Sequence, residues 1–252
     1  MAAIAVLLST AAFWPGLDLT WWQVFRRCVS IAAALSLWLT IKVGEGGSFA
    51  AYGLSAPRRG LRELVFGLVL GAGGFVLLVA IGVLAGACRI EVTDDTLRLW
   101  RTLIVFIPGA LLVSVLEELV FRGFLLRQLL CCSRVGAVAL SSLIYALVHM
   151  RALPTDWAAT GRELVGLFLF GAVLCVSCLR TGQLWLSIGL HATLAYGARV
   201  NKLLVVFTYT APMWLTGTSR LVNGVAVWGM ILGILGVVWW GTRAQRARRA
   251  NI

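Results

Sequence analysis

The stretch VLEELVFRGFLL (residues 115–126) places two carboxylates and a guanidinium inside a run that otherwise has the composition of a lipid-soluble helix. An ionised group at mid-membrane costs several kcal/mol, roughly 2.5 to 3.5 on insertion scales, so such a cluster indicates function. On a helix, Glu118 and Arg122 share one face, whereas Glu117 is rotated about 100° from Glu118. The spacing predicts that Arg122 neutralises Glu118 and leaves Glu117 for chemistry. The alternative is a structural ion pair beside a spectator acid.

The composition of the whole chain is that of an integral membrane protein. Its 252 residues are 60% hydrophobic and only 13% charged, and the mean hydropathy is +0.93. A soluble domain of this length needs far more polar surface to cover itself. We therefore expect one membrane domain over residues 1–252.

The net charge of +12 comes from short basic clusters that lie between the apolar runs, such as residues 26–27, 58–62 and 243–249. Helix ends on the cytoplasmic side of a membrane are anchored in this way. A nucleic-acid partner is not expected, because the basic side chains form no stripe on a polar domain. The Arg-rich tail, the short length and the lack of an ER-retention signal predict a multi-pass protein of a bacterial inner (plasma) membrane.

The apolar runs predict an all-α, polytopic bundle of about eight transmembrane helices. The third and the last run are long enough to cross about 30 Å of hydrocarbon alone, whereas several others need their flanks or burial inside a bundle. The run 203–215 is short and contains Pro212, so we expect it to be re-entrant or irregular. The first run reads as a short membrane segment. The runs are 2–14, 29–41, 64–87, 102–130, 135–150, 164–179, 184–198, 203–215 and 221–240.

The only two histidines, His149 and His191, each lie within an apolar run. Taking Ser133 as the middle of a turn, Glu117 precedes it and His149 follows it at equal separation, so an antiparallel helix pair brings both to one depth. His191 lies about 13 Å along its helix from the turn at Gly182, and a modest tilt brings it to the same level. The spacing thus predicts that the three side chains converge. A lone histidine of this kind is more often a hydrogen-bonded core residue.

These residues form a recognisable pattern. Glu117-Glu118-x-x-x-Arg122, then Tyr145-x-x-x-His149, then a third helix with His191 resembles the three motifs of the CPBP family, the CAAX-processing and bacteriocin-processing (Abi) intramembrane endopeptidases. The resemblance covers roughly residues 100–200, the expected catalytic core. It implies a helical membrane fold with a central cavity that admits a substrate peptide, and hydrolysis without a covalent intermediate.

The resemblance also implies roles for single residues. Glu117 matches the glutamate that activates water together with His149, and His191 matches the histidine that stabilises the oxyanion. Glu118 and Arg122 match the second acid and the arginine of the first motif. The third motif usually has an asparagine four residues after its histidine, where this chain has Ala195. Either Thr193, Tyr196 or another group replaces that donor, or the chemistry is altered.

Several alternatives remain open at this stage. Two histidines and a glutamate are a known catalytic zinc set, although no cofactor is expected because a His-Glu-x-x-His motif is absent from the sequence. A non-catalytic membrane binding or immunity protein of the same fold is favoured by Ala195, and an ion carrier is a third class. The expected partners are the bilayer and a membrane-anchored protein or peptide substrate. Prenylated proteins, bacteriocins and proteins with a C-terminal sorting helix are not distinguished.

Overall fold

The computed structural model describes residues 48–54, 57–131, 133–150, 156–208, 212–218 and 220–243, together with positions 28, 32, 35, 36, 38, 39 and 42. Inter-residue contacts divide the chain into Met1–Gly46 and Gly47–Ile252. The predicted first membrane segment, 2–14, lies outside the described residues. All elements below belong to the second unit. They are α1 (Pro57–Leu84), β1 (Cys88–Ile90), α2 (Thr96–Leu129), α3 (Arg134–Val148), α4 (Trp157–Thr181), α5 (Trp185–Leu204), β2 (Val205–Phe207), α6 (Met213–Thr216) and α7 (Val225–Gly241).

The fold is an all-α membrane fold, as the composition predicts. Within the described ranges, three helical segments are long and apolar enough to cross a membrane: Gly60–Leu84, Thr96–Leu129 and Trp157–Thr181. Helices α3 and α7 are apolar but shorter. Much of the apolar surface of α1 is exposed, for example at Val69, Val76 and Leu84, as expected of a helix that faces acyl chains.

The prediction that the last run crosses the membrane alone is wrong for the helix that forms. Residues Leu221–Asn223 make a 3₁₀ turn, so α7 begins at Val225 and has 17 residues. Its length is about 26 Å, less than the hydrocarbon thickness of about 30 Å. The indole side chains of Trp239 and Trp240 close to its end are exposed, a position typical of interfacial anchors.

The run 203–215 is irregular, which confirms that prediction. It contains the strand β2 and the single-turn helix α6. Strand β2 pairs antiparallel with β1, with Arg89 opposite Val206. This two-stranded sheet is not predicted by the sequence, because three residues per strand are too few for an alternating pattern to be read.

Two close contacts between helices involve α5, which carries one of the two histidines, and α3, which ends directly before the other. Helices α1 and α5 meet at Gly67 and Gly189, where a Cβ added to either glycine would lie 2.5 Å from a backbone oxygen of the other helix. Helices α3 and α4 meet through small side chains, since a Cβ at Gly171 would lie 3.1 Å from Ser142. Small residues allow such backbone approach between membrane helices. The depth and the rotation of α5 are therefore set by its contact with α1.

Candidate active site

Glu118 and Arg122 form an ion pair in the interior of the protein. Nη1 of Arg122 donates to Oε1 of Glu118 at 2.9 Å, and both side chains are 0% exposed. Nη2 of the same guanidinium donates to the carbonyl oxygen of Gly171 at 3.2 Å. The pairing predicted from the four-residue spacing is confirmed, and it satisfies a charge that would otherwise be costly to bury.

His191 extends this pair into a three-residue chain. Its Nδ1 atom lies 2.8 Å from Oε1 of Glu118, the oxygen that also accepts from Arg122. A carboxylate only accepts hydrogen bonds, so Nδ1 carries the hydrogen and Nε2 points to the other side of the ring. Glu118 therefore orients His191 as well as neutralising Arg122, a contact that helix rotation alone does not predict.

Glu117 faces both histidines, as the depth argument predicts. Its Oε2 atom is 3.6 Å from Nε2 of His149 and 3.7 Å from Nε2 of His191. The Glu117 side chain is 19% exposed, in contrast to the fully buried Glu118. The three groups come from α2, α3 and α5. The two adjacent acids thus lie in different environments, one inside an ion pair and one at a partly open site.

His149 is oriented by the end of its own helix. It is the C-terminal cap residue of α3, and its Nδ1 atom lies 2.8 Å from the carbonyl oxygen of Tyr145. The last carbonyls of a helix lack partners within the helix, so a side-chain donor at this position is favourable. Because a carbonyl only accepts, Nδ1 carries the hydrogen in the neutral ring. The basic Nε2 atom then faces Glu117.

Tyr145 also belongs to the site, although the sequence indicates it only as the aromatic residue of the second motif. Its hydroxyl oxygen lies 3.4 Å from Nε2 of His191, and its ring packs at 4.3 Å between centroids on the ring of His149. The Arg122 guanidinium carbon lies 4.6 Å from the centroid of the same ring. The signal in the sequence is the position of a tyrosine one helical turn before a histidine.

Helix α2 departs from regular α-helical geometry at this site. It forms π-helical turns at Leu119–Leu125, directly after Glu118 and around Arg122. Short π segments inside α-helices are found frequently at functional sites. Here the π-helical segment directly follows Glu117 and Glu118 and contains Arg122.

Residues 99–196 match the family described as Type II CAAX prenyl endopeptidase Rce1-like. Over this segment, which is less than half of the chain, the protein is similar to that family. The segment contains Glu117, Glu118, Arg122, His149 and His191. No curated protein and no solved structure matches the chain.

Neither of the two hydroxyls that could replace a donor at Ala195 points to the site. The Thr193 hydroxyl donates to the carbonyl oxygens of Gly189 and Leu190. The Tyr196 hydroxyl donates to the carbonyl oxygen of Leu103 at 3.0 Å. Both hydroxyls are thus committed to backbone carbonyls, which leaves another group or an altered chemistry as the alternatives.

A metal ion would need a set of side chains that converge on one point. The residues described contain no group of three or more His, Cys, Asp or Glu side chains arranged to hold one. Glu117, His149 and His191 nevertheless carry the types of donor atom that zinc prefers. A zinc ion bound by these three side chains therefore stays an alternative.

Proposed function

We propose that the protein is an intramembrane endopeptidase that hydrolyses a peptide bond in a membrane-associated protein or peptide, with water activated by Glu117 and His149. The observation that carries the proposal is the position of Glu117 Oε2, which is 3.6 Å and 3.7 Å from the Nε2 atoms of the two histidines. The catalytic core is residues 100–200 of a single membrane domain. The location is a bacterial inner membrane.

Glu117 and His149 are suited to remove a proton from water. Oε2 of Glu117 is buried and accepts no hydrogen bond from the described protein groups. A buried carboxylate oxygen is stabilised by a donor, and a water beside it also reaches Nε2 of His149. Both atoms are acceptors, so the water can donate one hydrogen to each. General bases placed in this way contribute typically about 10²- to 10⁴-fold in rate.

The reaction then follows in two steps. The water oxygen bonds to the scissile carbonyl carbon while its proton passes to the pair of Glu117 and His149, and the carbonyl π electrons move to the oxygen to form an oxyanion. The oxyanion collapses, the carbon–nitrogen bond breaks, and the same proton is returned to the leaving amine. No side chain forms a covalent bond with the substrate.

His191 stabilises the oxyanion in this scheme. Its Nδ1 already donates to Glu118, so donation from Nε2 requires the imidazolium form. In that form Nδ1–H is bonded to Glu118 and Nε2–H faces the oxyanion. With Glu117 ionised, the carboxylates of Glu117 and Glu118 balance the cations of His191 and Arg122. The cluster is then neutral, which lowers the cost of keeping it inside a membrane.

Water and substrate enter through a central cavity that opens beside the end of α3. Two observations support this part of the proposal. The 15 residues of α3 span about 22 Å, which is shorter than the hydrocarbon of about 30 Å. His149, directly at its end, has a side chain that is 25% exposed. The catalytic pair therefore lies at the end of this short helix, while the side chains of Glu118 and His191 are more buried.

The test uses the purified full chain in liposomes and a quenched-fluorescent, farnesylated peptide ending in a CAAX sequence. The wild-type protein should cleave it, and Glu117→Gln should lower kcat by about 10²- to 10⁴-fold. Glu91→Gln, at an acid that pairs with Arg89 on the surface, is the matched control and should cleave normally. Retained cleavage by Glu117→Gln contradicts the assigned base. A wild-type protein that cleaves neither this peptide nor a reporter with a C-terminal membrane helix contradicts the function.

A further inference from the structure

We propose that Tyr145 is a further catalytic residue, whose hydroxyl donates a second hydrogen bond to the oxyanion next to His191. This inference rests on the proposed endopeptidase function and deepens it. Ala195 has no side-chain donor, and the hydroxyls of Thr193 and Tyr196 donate to backbone carbonyls. The hydroxyl of Tyr145, in contrast, lies beside Nε2 of His191, the ring nitrogen that faces Glu117.

The Tyr145 hydroxyl lies on the side of the His191 ring that faces Glu117. Its oxygen lies 3.4 Å from Nε2 of His191, the same atom that faces Glu117 at 3.7 Å. An oxyanion that accepts from Nε2 must form close to both. Donors that stabilise an oxyanion typically lie about 2.7–3.1 Å from it, so one oxygen can be reached by Tyr145 and His191 together.

The hydrogen of the Tyr145 hydroxyl is only weakly held by His191. The distance of 3.4 Å from the hydroxyl oxygen to Nε2 is long for an O–H donor, so the bond is weak. An oxyanion is a stronger acceptor, because hydrogen bonds to a charged group are shorter and stronger than those between neutral groups. The hydroxyl therefore turns to the oxyanion when the oxyanion forms.

The ring of Tyr145 is held in place before any substrate arrives. It makes an edge-to-face contact with Phe121 at 5.3 Å and packs on His149 at 4.3 Å between centroids. The Arg122 guanidinium lies over its face at 4.6 Å. Tyr145 is itself almost fully buried, at 2% exposed. A donor fixed by such contacts needs little reorganisation during the reaction, which is how oxyanion donors act efficiently.

The test compares three variants of the full chain in liposomes with the farnesylated CAAX peptide as probe. Tyr145→Phe keeps the ring and removes the hydroxyl, so kcat should fall by about 10²- to 10³-fold while KM and the unfolding temperature stay near wild type. Tyr196→Phe is the matched control and should keep its kcat, because its hydroxyl bonds a helix carbonyl. Adding Ala195→Asn to Tyr145→Phe should restore part of kcat, since residues 191 and 195 share a helix face.

Each other outcome has a definite meaning. Full kcat in Tyr145→Phe overturns this inference and leaves the proposed function intact. A loss of kcat with a lowered unfolding temperature and no rescue by Ala195→Asn also overturns it, because Tyr145 then only supports the packing of the site. A wild-type protein without activity contradicts the proposed function and this inference together.

Discussion

Oε1 of Glu118 accepts hydrogen bonds from Nη1 of Arg122 at 2.9 Å and from Nδ1 of His191 at 2.8 Å, so a single carboxylate oxygen joins the arginine of one helix to the histidine of another. Glu117, the preceding residue in the chain, instead lies 3.7 Å from Nε2 of His191. The two acids therefore differ in what their removal costs. Glu118 holds two helices and two donors together, whereas Glu117 faces a partly open site.

The first prediction concerns stability. Glu118→Gln should lower the free energy of unfolding by about 3 to 5 kcal/mol, because it leaves the guanidinium of Arg122 buried without its counter-ion. Glu117→Gln should leave the unfolding temperature near wild type while it lowers kcat by about 10²- to 10⁴-fold. Thermal unfolding of both purified variants in the same detergent measures the difference. Equal destabilisation by the two substitutions would show that the acids do not have separate structural and chemical roles.

The second prediction concerns the close contact of α1 with α5. A Cβ at Gly67 would lie 2.5 Å from the carbonyl oxygen of Leu186 and 3.1 Å from Cα of Gly189. Gly67→Ala should therefore push the helices apart, and overpacking of this kind costs about 1 to 3 kcal/mol. Because α5 carries His191, cleavage should fall as well. Unfolding temperature and kcat of the variant are the measurements.

The same helix offers a matched control for this contact. A Cβ at Gly73 would meet nothing within 4 Å. Gly73→Ala should leave cleavage unchanged and slightly increase stability, by up to about 1 kcal/mol, because alanine favours a helix over glycine. If both alanine variants behave alike, the distance between α1 and α5 does not control the position of His191.

The sequence predicts that the site residues converge. It predicts less well which of them contact one another. The equal separation of Glu117 and His149 from the turn fixes their depth, because the rise per residue of a helix is constant. The same regularity predicts the pair of Glu118 and Arg122. The contact of His191 with Glu118 depends on how α5 is rotated, and that rotation is set by Gly67 and Gly189 on two helices. A single-helix pattern contains no information on such a contact.

Helix ends are the other features that hydropathy does not predict. The apolar run 221–240 begins with a 3₁₀ turn, and Gly224 precedes the first residue of α7. Apolar residues are favourable in lipid whether or not their backbone is helical, so the run and the helix need not share a boundary. The contact of the Tyr145 hydroxyl with His191 is also not predicted by the sequence pattern, because a core aromatic and a hydrogen-bond donor have the same periodicity.

The last prediction concerns metal. Both Nδ1 atoms of the histidines bond to protein oxygens, and their Nε2 atoms lie 3.6 Å and 3.7 Å from Glu117. These distances exceed a direct hydrogen bond, and a water that lies beside the acid and an imidazole can contact both. Water activated in this way needs no metal, so protein treated with a chelator and shown to be metal-free by elemental analysis should cleave the farnesylated peptide at the untreated rate. Tyr145→Phe should show the same loss of kcat before and after that treatment. Activity that disappears with the chelator and returns with zinc would instead make Glu117, His149 and His191 ligands, since neutral imidazole nitrogens and a carboxylate are the donors of catalytic zinc.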